Sequence, residues 1–169
     1  GVGLKLAGAL IDLAGGQLLP AMFFTMITSL ILGMGVPTTA NYVITSTIAA
    51  PALIQMGVPI MAAHLFVFYF GIIADVTPPV ALAAYAGAGI SGGNPMKTGV
   101  VASKLAVAAF VIPYIFVLSP ALLMINTTPG ELIWALTTSI IGMVGLGAAM
   151  IGYFLANVNP LIRVVFFFG

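Results

Sequence analysis

Charged residues and cysteine are what this sequence has least of. Four lysines or arginines and three aspartates or glutamates make up 4% of its 169 residues, whereas about 25% of the residues of a soluble domain are charged. Because so few charges cannot cover a surface that faces water, the chain is predicted to be an all-α integral membrane protein. The net charge of +1 excludes a basic nucleic-acid-binding surface, and the absence of cysteine excludes disulfides and thiolate metal sites.

Motifs of catalysis and cofactor binding are also scarce. The sequence has no Walker A lysine motif, no H-E-x-x-H and no ligand cluster for a transition metal. Residues 89–93 match G-x-S-x-G around Ser91, but that motif needs a preceding strand, and here a small-residue helix is predicted. We therefore predict a non-enzyme without a cofactor. An intramembrane serine protease with Ser91 and His64 stays an alternative, as does a non-catalytic channel or assembly subunit.

Long apolar segments dominate the sequence, which is 62% hydrophobic with a mean hydropathy of +1.28. Because it does not begin with methionine and ends in an apolar run, we expect it to be cut from a longer polypeptide and not to fold alone. The predicted segments are the end of a preceding or interfacial helix (1–17), a re-entrant helical hairpin (18–56) with its tip at 33–41, a broken transmembrane helix (59–91) with an unwound break at 74–79, a cytoplasmic loop (92–99), transmembrane helices at 100–125 and 131–158, and the truncated start of a further segment (159–169).

The hairpin is predicted from the lengths of its two arms. Leu18–Leu32 and Tyr42–Met56 are each about 15 apolar residues, which is short of the ~20 that span a bilayer. Between them the tip, Gly33–Asn41, brings together glycines, a proline, two threonines and an asparagine. Such backbone is stable at membrane depth only inside protein or beside a wet cavity. A hairpin that turns at the tip is therefore favoured over one long kinked span.

The break is predicted from Asp75 and two adjacent prolines. Pro78 and Pro79 end the incoming helix, and a short helix from Val80 to Ile90 would aim its free N–H groups at the break. Asp75 is the only acid well inside an apolar stretch, where a carboxylate is functional by default. A role as N-cap of the following turn is the alternative, and the two are compatible. Neighbouring broken segments indicate the ion and substrate site of a transporter.

Oxygen ligands are available at both the tip and the break. Discontinuous transmembrane helices bind Na⁺ through hydroxyl groups and through the carbonyls of unwound backbone. The alternative is that the tip and the break are purely structural kinks. His64 lies about 16 Å from Asp75 along a continuous helix, so the two share a face without touching directly. The predicted ion-binding residues are Gly35, Thr38, Thr39, Asp75 and Thr77.

The basic residues predict an orientation. With a re-entrant hairpin, Lys97, Lys104 and Arg163 lie on one face and Lys5 on the other. The positive-inside rule makes the side of Lys97 and Arg163 cytoplasmic, so the hairpin enters the membrane from outside.

Four stretches occur in an order that resembles one family: residues 33–40 (GMGVPTTA), 62–70 (AAHLFVFYF), 77–86 (TPPVALAAYA) and 94–99 (NPMKTG). They resemble the large membrane subunit of tripartite ATP-independent periplasmic (TRAP) transporters. More narrowly, they resemble the TAXI branch, in which the small and large membrane subunits are fused. The resemblance covers about residues 3–130 densely, and it would make the chain the C-terminal part of such a permease.

The resemblance implies an elevator-type secondary transporter in the bacterial inner membrane. It would import a small organic anion, usually a carboxylate, with a cation gradient. The cation is commonly Na⁺, and protons are the other possibility, for which His64 and Asp75 are candidates. The implied partners are a periplasmic TAXI-type substrate-binding protein, the lipid bilayer, and the rest of the permease with its first hairpin and scaffold. The implied substrate-binding residues are Pro37, Thr39, Asn41, Pro78 and Pro79.

Overall fold

The structure, a computed structural model, describes residues 1–154, 156–157 and 159–168, and most of them are helical. Short 3₁₀ turns follow α5 (Ala74–Val76) and α8 (Pro120–Leu123), and two antiparallel strands, β1 (Tyr153–Phe154) and β2 (Ala156–Asn157), follow α9. The helices are α1 (Val2–Leu13), α2 (Leu18–Gly33), α3 (Thr38–Ile48), α4 (Ala50–Gln55), α5 (Ile60–Ile73), α6 (Leu82–Ser91), α7 (Pro95–Leu105), α8 (Val107–Leu118), α9 (Pro129–Ile151) and α10 (Pro160–Phe168).

The central helix is α5, which contacts α2, α3, α4 and α8. Its buried Phe66 and Phe70 meet edge to face, with ring centroids 4.9 Å apart. Tyr114 of α8 packs against both rings, with centroids 5.4 and 6.0 Å away. Such aromatic pairs add about 0.5–1.5 kcal/mol each to the burial of their area. They hold α8 against α5, the helix that leads into the break.

Residues 18–56 form two helical arms around a turn. The first arm, α2, contacts both α3 and α4, so the second arm runs back along the first. The second arm is divided in two because Pro51, in the first turn of α4, has no N–H to donate to the carbonyl of Thr47. That carbonyl lies against Gly3 of α1, where a Cβ atom would overlap it. The first seventeen residues therefore contain a helix that packs on the second arm.

The helices after the break differ from their predicted bounds. α7 begins at Pro95, inside the predicted loop 92–99, because Oδ1 of Asn94 accepts the N–H of Lys97 at 3.0 Å and caps the helix. The single helix predicted at 100–125 is instead α7 and α8, bent by 40° around Ala106, and Pro113 lies inside α8. α7 packs against α6 and the break whereas α8 packs against α5, and the bend allows both contacts.

The longest helix is α9. It starts with a capping box, in which Oγ1 of Thr128 accepts the N–H of Glu131 and the carboxylate of Glu131 accepts the N–H of Thr128 at 2.9 Å. Within the described residues, α9 alone is long and apolar enough to cross a membrane by itself. A second span is obtained if α7 and α8 count as one bent helix.

The end of α9 comes earlier than predicted. The helix stops before Gly152, whose φ is +78°. Nε and Nη2 of Arg163 donate to the carbonyls of Ala149 and Met150, in the last turn of α9, at 2.8 and 3.1 Å. The dipole of α9 favours a cation at this end of the helix. The predicted bounds at Val158 and Gly169 lie outside the described residues.

Candidate functional site

The tip turns at Gly35, whose φ of +70° disfavours any residue with a side chain. Pro37, with φ −55° and ψ 142°, then precedes α3 and offers no side-chain cap. The first bond of the helix runs from the N–H of Asn41 to the carbonyl of Pro37 at 2.9 Å. The amides of residues 38–40 therefore have no partner within α3. These residues are exposed, so the start of α3 is open to a ligand.

The break replaces helical backbone with a 3₁₀ turn and an extended residue, Thr77, at φ −110° and ψ 123°. The helix that follows begins at Leu82, later than the predicted Val80, because Ala81 is left-handed at φ +37°. Asp75 is half-buried, caps neither the 3₁₀ turn nor α6, and has no hydrogen-bond or ion-pair partner within the described part of the chain. The capping role considered for Asp75 is therefore wrong, and its carboxylate is free.

The tip and the break lie against each other. A Cβ atom on Gly35 would be 4.0 Å from Cγ1 of Val80, the residue that follows Pro79. The first arm, which ends at the tip, also contacts the 3₁₀ turn of the break. Thr38 and Thr39 are exposed, and within the described chain their hydroxyls make no hydrogen bond. The two irregular segments thus form one region with free oxygen atoms.

Asn41 is buried at a helix crossing. Its side chain is 2% exposed and lies between Gly33 of α2 and Gly71 of α5. A Cβ on Gly33 would lie 2.8 Å from Cα of Gly71 and would overlap backbone, whereas a Cβ on Gly71 would lie 2.7 Å from Nδ2 of Asn41 and would displace that amide. Oδ1 of Asn41 has no hydrogen-bond partner in the described structure, which costs about 1–3 kcal/mol. The residue predicted to bind substrate therefore faces a helix crossing.

Carbonyls around the break accept hydrogen bonds from side-chain hydroxyls. These hydrogen bonds satisfy carbonyl groups at the break, which would otherwise lack a donor because the backbone there is not helical. Of the three donors, only Thr77 is among the residues predicted for the site, and its predicted role is to bind the cation. The only local indication for Ser103 is that it lies four residues after Gly99, and therefore on the same face of α7. The donors and acceptors are Thr77 Oγ1 with the Ile73 carbonyl (2.8 Å), Tyr85 Oη with the Pro79 carbonyl (2.8 Å), and Ser103 Oγ with the Val76 carbonyl (3.0 Å).

The buried polar side chains of the described chain all lie on the two arms: Thr25 and Ser29 on α2, and Asn41 and Thr45 on α3. Ser29 and Thr45 donate to carbonyls one turn earlier at 2.8 and 2.9 Å. Oγ1 of Thr25 has no partner among the described residues. Thr25 and Ser29 were not predicted, although with Gly33 they form a row of small residues at helical spacing.

His64 is paired with Tyr42 and not with Asp75 or Ser91. The Tyr42 hydroxyl lies 3.0 Å from Nδ1 of His64, and the two rings meet edge to face. Ser91 donates to a carbonyl of its own helix at 3.4 Å, and no hydrogen bond in the described residues joins it to His64. The protease alternative is therefore unsupported. The Tyr42–His64 pair borders an open hollow of about 340 Å³ whose other walls are Met61, Leu65 and Phe68.

One family model matches the chain. It is described as the tripartite ATP-independent periplasmic transporter, DctM component, and the match covers residues 1–130. No curated protein and no solved structure gives a significant match. The matched range contains the tip, the break, and the helices α6 and α7 that pack around the break. The candidate site therefore lies wholly within the part of the chain that carries the family pattern.

Proposed function

Since the chain belongs to the DctM family of tripartite ATP-independent periplasmic transporters, we propose that it contains part of a site that couples the import of a small organic acid to a Na⁺ gradient. Membership makes the chain an integral membrane component of a transport system. The observation that supports the proposed site best is the close approach of the tip to the break, where a Cβ atom at Gly35 would lie 4.0 Å from Cγ1 of Val80. The open tip therefore lies beside a break whose Asp75 has no hydrogen-bond or ion-pair partner within the described residues.

The cation is proposed to bind where the tip meets the break. An unpaired carboxylate at membrane depth is costly and is stabilised by a bound cation. Thr38, Thr39 and the carbonyl of Gly35 add neutral oxygens of the kind that discontinuous helices offer to Na⁺. The Thr77 hydroxyl donates its proton to the carbonyl of Ile73 at the end of α5, so its lone pairs stay free for the cation. Binding would neutralise Asp75 and hold the tip closed over the substrate.

The organic acid is proposed to bind across the same gap. The starts of α3 and α6 leave N–H groups without helical partners, and the helix dipoles favour a carboxylate there. Pro37 with Thr39, and Pro78 with Pro79, are proposed to form the walls. Asn41 is reassigned from a direct substrate contact to a residue that holds the tip, because it is buried between α2 and α5.

The proposal for the surrounding assembly rests on the resemblance to the TAXI branch. The two arms form a re-entrant hairpin within an elevator-type moving domain, and a periplasmic TAXI-type binding protein delivers the substrate. The other half of the site, with the first hairpin and the scaffold, comes from the rest of the permease. Lys97 and Arg163 lie on the cytoplasmic side of the inner membrane, so the hairpin enters from the periplasmic side. Short arms that pack on a central helix support this arrangement.

Uptake into proteoliposomes tests the proposed function. The vesicles contain the intact permease, the binding protein is added outside, and the labelled substrate is the acid that mass spectrometry identifies in the purified binding protein. Under a Na⁺ gradient, Asp75→Asn and Thr39→Ala are expected to lose most uptake. Asp12→Asn, the same change at an exposed residue at the end of α1, should retain it.

Two results would change the proposal. Uptake that follows a pH gradient alone and is lost mainly in Asp75→Asn would make the proton the coupling ion. Normal uptake by both site variants under either gradient would reduce the tip and the break to structural kinks.

A further inference from the structure

The helix α7 packs against both α6 and the break. The absence of a side chain at Gly99 makes this close packing possible. Gly99 is buried, and a Cβ atom there would lie 3.1 Å from Cε1 of Tyr85 and 3.2 Å from Cγ of Pro78. Those distances are shorter than the 3.5–4.0 Å at which carbon atoms rest. The missing side chain therefore lets the backbone of α7 approach Pro78 closely. Ser103, one turn further along α7, is brought to the break by this approach.

Ser103 is within hydrogen-bond distance of two carbonyl oxygens. Its Oγ lies 3.0 Å from the oxygen of Val76 in the break and 3.0 Å from the oxygen of Gly99 in its own helix. A serine hydroxyl has one proton, so it donates to one of them at a time. Rotation about a single bond exchanges the two acceptors without moving the backbone. Ser103 can therefore hold the Val76 carbonyl or release it at little cost.

The state of Ser103 affects any cation near the break. Val76 lies between Asp75 and Thr77, which the proposed function places at the cation. When Ser103 donates to Val76, its positively polarised hydrogen lies beside the carbonyl that a cation would use, and repels the cation. When Ser103 donates to Gly99, that repulsion is removed. Without a cation the unwound carbonyl still needs a donor.

We propose that Ser103 is a positioning residue that holds the Val76 carbonyl in the cation-free protein and turns to the Gly99 carbonyl when Na⁺ binds. The assignment rests on the proposed function. Ser103 touches neither substrate nor cation in this role. It stabilises the empty break, and it thereby weakens cation binding and makes release possible.

Calorimetric titration of the purified intact permease with NaCl, in choline chloride at constant ionic strength, tests this role. Ser103→Ala removes the donor that competes with the cation, and a hydrogen bond of about 0.5–1.5 kcal/mol corresponds to a Kd for Na⁺ that is lower by about two- to tenfold. Ser103→Thr, which keeps a hydroxyl, should restore the wild-type Kd. Ser91→Ala, which removes a hydroxyl that donates to the Ala88 carbonyl of its own helix, should leave the Kd unchanged.

Thermal unfolding gives a second readout that a purely structural role would not reproduce. The Tm difference between wild type and Ser103→Ala should be large without Na⁺ and should shrink as Na⁺ saturates, because the bound state no longer uses the Ser103–Val76 bond. If Ser103→Ala gives no folded permease, Ser103→Cys, a weaker donor of similar size, is judged by the same criteria.

The outcomes separate the two proposals. If wild-type protein binds Na⁺ and Ser103→Ala has an unchanged or higher Kd for Na⁺, the role of Ser103 is overturned but the proposed coupling is not. Wild-type protein that does not bind Na⁺ at all would overturn both that role and the proposed coupling. A lower Kd that Ser103→Thr fails to restore would also contradict the role of the hydroxyl.

Discussion

Substitution of Gly71 by alanine should destabilise the crossing of α5 with the tip, because the new methyl group would collide with one side chain, that of Asn41. The new Cβ would lie 2.7 Å from Nδ2 and 2.9 Å from Cγ of Asn41, whereas non-bonded carbon atoms rest at about 3.5–4.0 Å. The amide must retreat by roughly 1 Å, but it is only 2% exposed and is enclosed by α2 and α5. Overpacking of this kind costs about 1–3 kcal/mol.

Asn41→Ala should remove most of that cost, because the three atoms nearest to the new Cβ all belong to the Asn41 amide. Alone, Asn41→Ala loses packing but also removes a buried carbonyl without a partner, so these effects offset each other. Gly33→Ala provides the contrast, since its Cβ meets the backbone of Gly71, with Cα at 2.8 Å. Asn41→Ala leaves that backbone in place and should rescue Gly33→Ala much less.

The assay is thermal unfolding of the purified intact permease for the single and double variants. The coupling between Gly71→Ala and Asn41→Ala should be favourable by about 1–3 kcal/mol and clearly larger than the coupling of Gly33→Ala with Asn41→Ala. Gly87→Ala on α6 is the control, because a Cβ there meets nothing within 4 Å. The described crossing is refuted if Gly71→Ala unfolds at the wild-type temperature, or if Asn41→Ala adds to its loss.

Three further predictions test other parts of the structure. Thr128→Ala should lower the stability of the start of α9 by about 1 kcal/mol, measured by thermal unfolding, and Thr128→Ser should not. Gly3→Ala should release α1 from the second arm, because its Cβ overlaps the Thr47 carbonyl, whereas the Cβ of Gly8→Ala meets nothing within 4 Å. Limited proteolysis should therefore cleave α1 faster in Gly3→Ala than in Gly8→Ala, and equal cleavage of the two variants would contradict the packing. A pair of cysteines at Gly35 and Val80 should form a disulfide under mild oxidation, because a Cβ atom at Gly35 would lie 4.0 Å from Cγ1 of Val80. The control is a cysteine at Gly15, which has a similarly positive φ but lies beyond the other end of α2, about 24 Å of helix away from the tip, and should not pair with a cysteine at Val80. Failure of the first pair in the folded protein would contradict the contact of the tip with the break.

The irregular segments were predictable from the sequence because their signals are local. Gly35 and Pro37 mark the turn, and Pro78 with Pro79 marks the break, since both residue types restrict the backbone at their own positions. The start of α7 is also marked in the sequence, since Asn94 and Pro95 form a standard helix start, but the polar residues around them favour a loop.

Other features depend on contacts between distant segments and could not be predicted. Asn41 was expected to face substrate, but its neighbours Gly33 and Gly71 come from two other helices. Ser103 donates to a carbonyl that lies 27 positions away in the chain. The bend near Ala106 has no proline or glycine at its centre and follows from the different partners of α7 and α8.

The central claim is that a cation binds where the tip meets the break, and Na⁺-dependent thermal stabilisation of the purified intact permease tests it most directly. Ligands that bind only the folded state raise the Tm, by an amount that grows with concentration relative to Kd. The account predicts that NaCl raises the Tm of wild type and of Asp12→Asn above the value in choline chloride, and that Asp75→Asn shows no such rise. An equal rise in Asp75→Asn would contradict the account, because the cation would then bind without the carboxylate of the break.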